Sequence, residues 1–323
     1  MNKSIAIVAG EPNSISSEII FKTWKLKKKY RFKKFFVIGS FNLLNQQKSK
    51  LKYKIRIKKI NKNFDLKDLN GPELPVLDIV YKQKKPFEKI SSKSSRYIFK
   101  CFETALSLYK KNKICGFVNC PVAKETLFKG KEHGVTEFLA DKTNEKNNEV
   151  MLIYNKNLSV SPITTHIPLS DVSKKINEKL IIKKVSIINS FYKKYFKKKP
   201  KIAILGLNPH NYSPKSKSKE EKIILKAVKK LTKLNINVDG PIPADSSFLI
   251  YKKFKFNVIV GMYHDQVLTP YKALFNFNAI NVTLGLSFIR TSPDHGTAQN
   301  IVGKLKANPQ SLIESIKFFN FVN

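Results

Sequence analysis

The sequence predicts an α/β protein with a largely parallel sheet, because short apolar strands alternate with helices along its 323 residues. A chain of this length is expected to form one or two domains around a large core. We find no internal repeat, and no Gly-x-Gly-x-x-Gly stretch occurs, so a Rossmann dinucleotide site is not indicated.

Each predicted strand is a short apolar run that ends at a turn or at polar residues. The strands cover residues 4–9, 34–39, 115–119, 149–154, 158–164, 202–207 and 256–261. The helices cover residues 15–29, 91–111, about 136–143, 171 to about 196, 220–234 and 309–319, and the second of these has a clear apolar face. Residues 50–90 are poorly patterned and contain several prolines.

Composition places the chain among globular proteins, with 42% hydrophobic and 11% aromatic residues. No apolar run approaches the length of a membrane span. The first apolar run is too short for a signal peptide, so we expect a cytoplasmic protein. Three cysteines without metal-type spacing indicate neither a disulfide framework nor a cysteine zinc site.

The net charge of +38 raises the possibility of a nucleic-acid-binding protein. However, 57 of the 61 basic residues are lysines, and they spread over every segment instead of forming one stripe. This distribution favours a global drift in composition, and we expect no nucleic-acid partner. A basic nucleic-acid-binding protein stays open as the alternative from another functional class, and the charge would in either case attract anionic substrates.

Side chains that can take part in catalysis or bind ligands are concentrated between Met262 and Lys304. This segment holds two of the five histidines and one of the four arginines. Its polar residues stand beside apolar ones, which indicates strand ends and turns that direct polar groups into a cleft. The alternative is a pair of core strands joined by ordinary turns.

Three histidines follow predicted strands directly. They are His166, His210 and His264. Ligands of open α/β sheets bind at the carboxyl ends of strands, and three histidines with an open fourth position are typical of a catalytic divalent metal. A single histidine in such a place is more often a hydrogen-bonded loop residue than a ligand, and it is the matching position of all three that favours a metal site.

Lys272 and Arg290 are candidate anchors for a substrate anion, because arginine suits bidentate contacts and lysine acts as a point charge. Arg290 follows an apolar pair, where an unpaired charge would be costly. Asn281 is a further candidate contact, or else caps a turn. Asp245 and Asp265 are candidate proton acceptors or partners of other site residues.

In five motifs the chain resembles the 4-hydroxythreonine-4-phosphate dehydrogenases of vitamin B6 synthesis. The motifs are TTHIPLSDV at 164–172, GLNPH at 206–210, GPIPAD at 240–245, MYHDQ at 262–266 and NVTLGLSFIRTSPDHGTA at 281–298. The similarity runs through most of the chain. It implies the isocitrate/isopropylmalate dehydrogenase-like fold, with two α/β domains around a central cleft.

The resemblance implies a cofactor-side domain of residues 1–125 and 270–323, and a metal- and dimer-side domain of residues 126–269. The family's metal ligands fall on His166, His210 and His264. Its substrate contacts fall on Thr136, Lys272, Asn281 and Arg290. The segment 294–303, which contains His295, is similar to the superfamily's adenosine-binding loop.

The implied reaction is an NAD- or NADP-dependent oxidation of 4-phosphooxy-L-threonine to 2-amino-3-oxo-4-phosphooxybutanoate. Decarboxylation then gives 3-amino-2-oxopropyl phosphate, on the route to pyridoxal 5'-phosphate. A divalent metal (Zn, Mg or Co) would assist, and a homodimer would share its active site between subunits. The resemblance leaves the general base unassigned.

The chain departs from the family pattern at Val135, where the family usually has a substrate-binding histidine. Two loops that are normally rich in glycine have also lost glycines, at residues 13–17 and 211–217. These departures keep open a related dehydrogenase for another phosphorylated hydroxy acid, such as phosphothreonate or phosphoerythronate.

Overall fold

A computed structural model describes residues 3–130, 134–209 and 218–322. The chain divides into two compact units. Unit 1 comprises Met1–Asn144 and Ser287–Asn323, and unit 2 comprises Glu145–Leu286. The domain bounds implied by the resemblance, and the roles given there to the two domains, stay predictions.

Strands and helices alternate within both units. The strands are β1 (Ser4–Val8), β2 (Phe35–Gly39), β3 (Ile57–Ile60), β4 (Leu74–Asp78), β5 (Ile114–Asn119), β6 (Val150–Tyr154), β7 (Ser159–Pro162), β8 (Ile202–Leu205), β9 (Val238–Ile242), β10 (Val258–Gly261), β11 (Ile280–Leu284) and β12 (Ile289–Pro293). The α-helices are α1 (Ser16–Lys25), α2 (Lys27–Tyr30), α3 (Phe41–Lys50), α4 (Ser95–Lys110), α5 (Lys124–Phe128), α6 (Val135–Lys142), α7 (Leu169–Lys175), α8 (Glu178–Phe191), α9 (Lys219–Lys233), α10 (Ala244–Ile250), α11 (His264–Phe275) and α12 (Gln310–Phe318).

Unit 1 contains a parallel sheet in the order β3-β4-β2-β1-β5-β12. Every residue of its strands β1 and β2 is buried, as expected for a parallel sheet that is covered on both faces. At one edge, Phe288 stacks on Phe117 with a centroid separation of 5.3 Å, which packs the start of β12 against β5.

Unit 2 contains a mixed sheet in the order β11-β6-β7-β10-β8-β9. Strands β7, β10, β8 and β9 are parallel to one another, while β6 runs antiparallel to both β7 and β11. A buried cluster that includes Val160, Ile259 and Tyr271 packs α11 onto this sheet. The parallel strands therefore present their carboxyl ends at one common edge.

The predicted α/β class is confirmed, and the predicted strands correspond to β1, β2, β5, β6, β7, β8 and β10. In residues 50–90, which were expected to be poorly patterned, β3 and β4 were missed, because two lysines lie within β3 and a proline lies within β4. The helix predicted for 171–196 is two helices, because Asn177 caps α8 by accepting a hydrogen bond from the Leu180 amide at 2.9 Å. Helix α11 was not predicted, since Pro270 interrupts its pattern.

No helix in the described ranges has both the length and the apolar character that crossing a membrane requires.

Candidate functional site

Hydrogen bonds join the carboxyl ends of β7 and β10 in unit 2. The Ile163 amide donates to the Gly261 carbonyl at 2.8 Å. The Thr164 amide and hydroxyl both donate to the Met262 carbonyl, at 3.1 and 2.7 Å. Thr164 is buried, so these bonds are shielded from water. The segments that leave the two strands are consequently held side by side.

These two segments carry His166 and His264, whose ring centroids lie 6.0 Å apart. His166 is exposed, and the His264 side chain is 33% exposed, so both imidazoles are accessible to a ligand. The structure thus brings together two histidines that are almost one hundred residues apart in the sequence.

Asp265 fixes the ring of His264. Its Oδ1 lies 2.7 Å from His264 Nδ1, and a hydrogen bond in which Nδ1 donates leaves the lone pair on Nε2. A carboxylate that orients a histidine in this way is the usual partner of a metal-binding imidazole. Asp265 is therefore placed to orient His264, which is one of the two roles expected for it.

Gln266 connects the same turn to the neighbouring strand β8. Its Oε1 accepts from the Met262 amide at 2.6 Å, and its Nε2 donates to the Gly206 carbonyl at 2.7 Å. A third strand end is thereby tied to the histidine pair. No role was predicted for Gln266, although its place directly after the His-Asp pair of MYHDQ was an available signal.

The chain that leaves β8 is anchored by a buried carboxylate. Glu221 accepts hydrogen bonds from the backbone amide of Asn208 at 3.1 Å and from its side-chain amide at 3.0 and 3.1 Å. Burial alone would raise the pKa of Glu221, but hydrogen bonds from Ser218 and Asn208 outweigh it and hold the pKa below its usual value. The third predicted ligand, His210, lies outside the described residues.

The donors present fit a divalent metal ion. Neutral imidazoles are ligands that zinc and cobalt accept, and the pair lies at a strand edge with an orienting carboxylate. Within the described part of the chain, no group of three or more histidine, cysteine, aspartate or glutamate side chains converges. The structure thus brings two of the three predicted ligands close to each other.

Arg290 forms the centre of a second cluster, in unit 1. It is 4% exposed, its Nε donates to Asn119 Oδ1 at 2.6 Å, and its Nη1 donates to Thr136 Oγ1 at 3.3 Å. Burial lowers the pKa of Arg290 to about 10, and the nearby Glu137 carboxylate opposes this shift. The guanidinium therefore remains charged at neutral pH.

Thr136 lies in the first turn of α6, which begins after the N-cap residue Gly134. Backbone amides at a helix N-terminus have no intrahelical acceptor and favour anions. A buried guanidinium beside such a helix start suits a phosphate or a carboxylate. The structure thus brings together two of the four predicted substrate contacts, and adds Asn119, a buried polar residue that ends β5.

The other predicted residues lie on separate elements. Lys272 is exposed on α11 and Asn281 lies in β11, both in unit 2. The Oδ1 of Asn281 is buried and has no hydrogen-bond partner among the described residues. His295 follows β12 in unit 1, and its Nδ1 lies 3.1 Å from the Gly296 carbonyl. Asp245 is exposed near the start of α10.

Comparison with known proteins gives consistent matches along the whole chain. The family model of the pyridoxal phosphate biosynthetic protein PdxA matches residues 31–319. A 4-hydroxythreonine-4-phosphate dehydrogenase from Sulfurihydrogenibium sp. is 37% identical over 97% of this chain and 96% of its own. A provisionally named D-threonate 4-phosphate dehydrogenase from Oceanobacillus iheyensis is 31% identical over 97% of this chain and 95% of its own.

The fold agrees with these matches. The crystal structure of 4-hydroxythreonine-4-phosphate dehydrogenase from Klebsiella pneumoniae superposes with a TM-score of 0.84, at 28% identity and over 98% of both chains. Fold and relatives together define an α/β oxidoreductase. The chain belongs to the PdxA family of pyridoxal phosphate biosynthetic proteins, so the resemblance found in the sequence is confirmed.

Replacing Gln266 by methionine tests the link between the strand ends. Methionine has a similar length but leaves the Met262 amide and the Gly206 carbonyl without this partner. We expect the free energy of unfolding to fall by about 2–4 kcal/mol, since each buried unsatisfied group costs about 1–3 kcal/mol. Denaturant melts measure this change. The control Gln46→Met, at an exposed helix position, should shift stability by less than about 0.5 kcal/mol. Equal melts for the two variants would contradict the assignment.

Proposed function

We propose that this chain oxidises 4-phosphooxy-L-threonine to 2-amino-3-oxo-4-phosphooxybutanoate with NAD or NADP. Decarboxylation of the product to 3-amino-2-oxopropyl phosphate follows, in the synthesis of pyridoxal 5'-phosphate. The observation that carries the proposal is the His166–His264 pair, 6.0 Å apart at neighbouring strand ends, in a member of the PdxA family. Oxidoreductases of this class require a cofactor that accepts a hydride and a group that stabilises negative charge on the substrate oxygen.

In this proposal His166, His210 and His264 hold a divalent metal, which is Zn, Mg or Co. When bound, such a metal supplies Lewis acidity that stabilises negative charge on a substrate oxygen. The chain itself contributes the orientation of the ligands. Asp265 holds the His264 ring, and Gln266 keeps its turn against β8.

The substrate anion is bound in this proposal by a basic and polar set. Its members are Thr136, Lys272, Asn281 and Arg290. Among these residues, an anion-binding role is best supported for Arg290, because it is a buried cation that is hydrogen-bonded beside the start of a helix. His295 and the segment around it would contact the nicotinamide cofactor, whose own chemistry accepts the hydride.

We also propose that the active enzyme is a homodimer in the cytoplasm, with one metal ligand donated by the partner subunit. Membership of the family supports this assembly. No step proposed here involves a nucleic acid, although the net charge of +38 favours encounter with anionic substrates in general.

A second candidate substrate is another phosphorylated hydroxy acid, such as 4-phosphothreonate or phosphoerythronate. The observation that favours it is Val135, which is 3% exposed in the first turn of α6, directly before Thr136. A buried valine offers no hydrogen bond, so a polar group of the substrate would be recognised differently here. The relative from Oceanobacillus iheyensis carries a name for that type of activity.

A substrate panel distinguishes the two candidates. Purified protein with NAD and with NADP should give the highest kcat/KM on 4-phosphooxy-L-threonine, measured by absorbance of the reduced cofactor. A higher kcat/KM on 4-phosphothreonate or phosphoerythronate would support the second candidate. The absence of turnover on all three would contradict both.

The metal assignment predicts that the protein as purified contains a divalent metal. His264→Ala and His210→Ala should lose both the metal, measured by elemental analysis, and turnover, since each removes a ligand. His133→Ala, a histidine outside the predicted set, should retain the metal. Full activity of a stringently metal-free preparation would refute the assignment.

Arg290→Lys keeps the charge but removes the planar fork of donors. We expect kcat/KM per folded molecule to fall roughly 30- to 150-fold, which corresponds to about 2–3 kcal/mol for a charge-assisted contact. The melting temperature should also fall, because the bonds to Asn119 and Thr136 are altered. The exposed Arg96→Lys serves as control and should match the wild type. A normal kcat/KM in Arg290→Lys would remove this residue from the site.

A further inference from the structure

Asn119 is held at both ends of its side-chain amide. It is the last residue of β5 and is 3% exposed. Its Oδ1 accepts from Arg290 Nε at 2.6 Å, while its Nδ2 donates to the Cys120 carbonyl at 3.2 Å. Because the amide donates to a backbone group, its oxygen is directed at Arg290 without freedom to rotate.

A guanidinium is planar, so two hydrogen bonds in its plane determine its orientation. Asn119 supplies the bond at Nε, and Thr136 supplies a longer one at Nη1, at 3.3 Å. Of the two, the bond to Asn119 is shorter and belongs to a strand instead of a helix start. Of these two acceptors, Asn119 therefore does more to set the direction in which the Arg290 fork points.

Both of these acceptors are neutral oxygens. Buried arginines are commonly matched by a carboxylate, which would bind the guanidinium more tightly but cancel its charge. Glu137 acts on Arg290 electrostatically, from the same turn as Thr136. A neutral partner at position 119 orients the guanidinium and leaves more of its positive charge available to a ligand.

We propose that Asn119 is a positioning residue that aims Arg290 at the anionic group of the substrate without neutralising it. This inference rests on the proposed function, in which Arg290 binds a phosphate or a carboxylate.

Two substitutions separate positioning from simple support of the fold. Asn119→Asp keeps an acceptor for Arg290 but introduces a negative charge. Asn119→Ala removes both hydrogen bonds and introduces none. The matched control is Asn155→Asp in unit 2, because Asn155 likewise accepts from an amide, at 2.9 Å, and donates to the Asn278 carbonyl, at 2.6 Å.

We expect both variants to raise KM for 4-phosphooxy-L-threonine while KM for NAD stays within about twofold. The effect of Asn119→Asp should be the larger, roughly 10- to 100-fold, as for the loss of a charge-assisted contact. The order of melting temperatures should be the reverse, with Asn119→Ala the less stable variant. Asn155→Asp should keep both KM values of the wild type.

If Asn119 only supports the fold, Asn119→Ala should be the worse variant in both kinetics and melting. That result, or a normal substrate KM in Asn119→Asp, would overturn the proposal.

A second measurement is independent of turnover. Inorganic phosphate, compared with chloride at equal ionic strength, should raise the melting temperature of the wild type and of Asn155→Asp, since a ligand that binds the folded state stabilises it. The rise should be absent in Asn119→Asp. Should the wild type show no dehydrogenase activity, the proposed function fails, and this melt still decides the role of Asn119. An equal rise of the melting temperature in Asn119→Asp, or no rise in the wild type, would overturn the proposal that Asn119 positions Arg290.

Discussion

The alignment of the strand ends in unit 2 is the constraint on which the histidine pair depends. Parallel strands β7 and β10 end at one edge, and hydrogen bonds from residues 163 and 164 to the Gly261 and Met262 carbonyls keep those ends level. Gln266 extends the same arrangement to β8. A shift of one residue in this register would separate His166 from His264, because each imidazole follows its strand by only a few residues.

Unit 1 differs from unit 2 in that it buries a charged side chain, Arg290. A guanidinium removed from water is costly unless its donors are satisfied, and here Asn119 and Thr136 accept from two of them. The start of α6 lies beside the guanidinium, so two features that favour an anion coincide. In the proposed function a bound anion accounts for the charge at this position of β12, where an apolar residue would be easier to bury.

The strong basic character of the chain has little bearing on these sites. Lysines dominate the surface, whereas the described clusters use histidine, asparagine, glutamine and a buried arginine. The chain is a member of the PdxA family and matches a solved relative over 98% of its length. Its lysine-rich composition therefore occurs in an enzyme fold that relatives share. Long-range attraction of phosphorylated molecules is the effect that such a charge has on any enzyme of this class.

The sequence by itself determined the α/β class, most strands, the family and the residue types of the site. Strong apolar runs such as β1 and β10 specify buried strands locally, and the motifs around His166, His264 and Arg290 are specific enough to identify relatives. It did not reveal β3, β4 or α11, because lysines, prolines and Pro270 in particular obscure their patterns.

Only the tertiary structure decided which of these side chains meet. The Asn119–Arg290 bond joins residues 171 positions apart, and the Gln266–Gly206 bond joins residues 60 apart. Local sequence carries no record of such pairs, since they arise from the order of strands in a sheet and from the level of their ends. The orientation of Arg290 is therefore a property of the fold, although its presence was evident in the sequence.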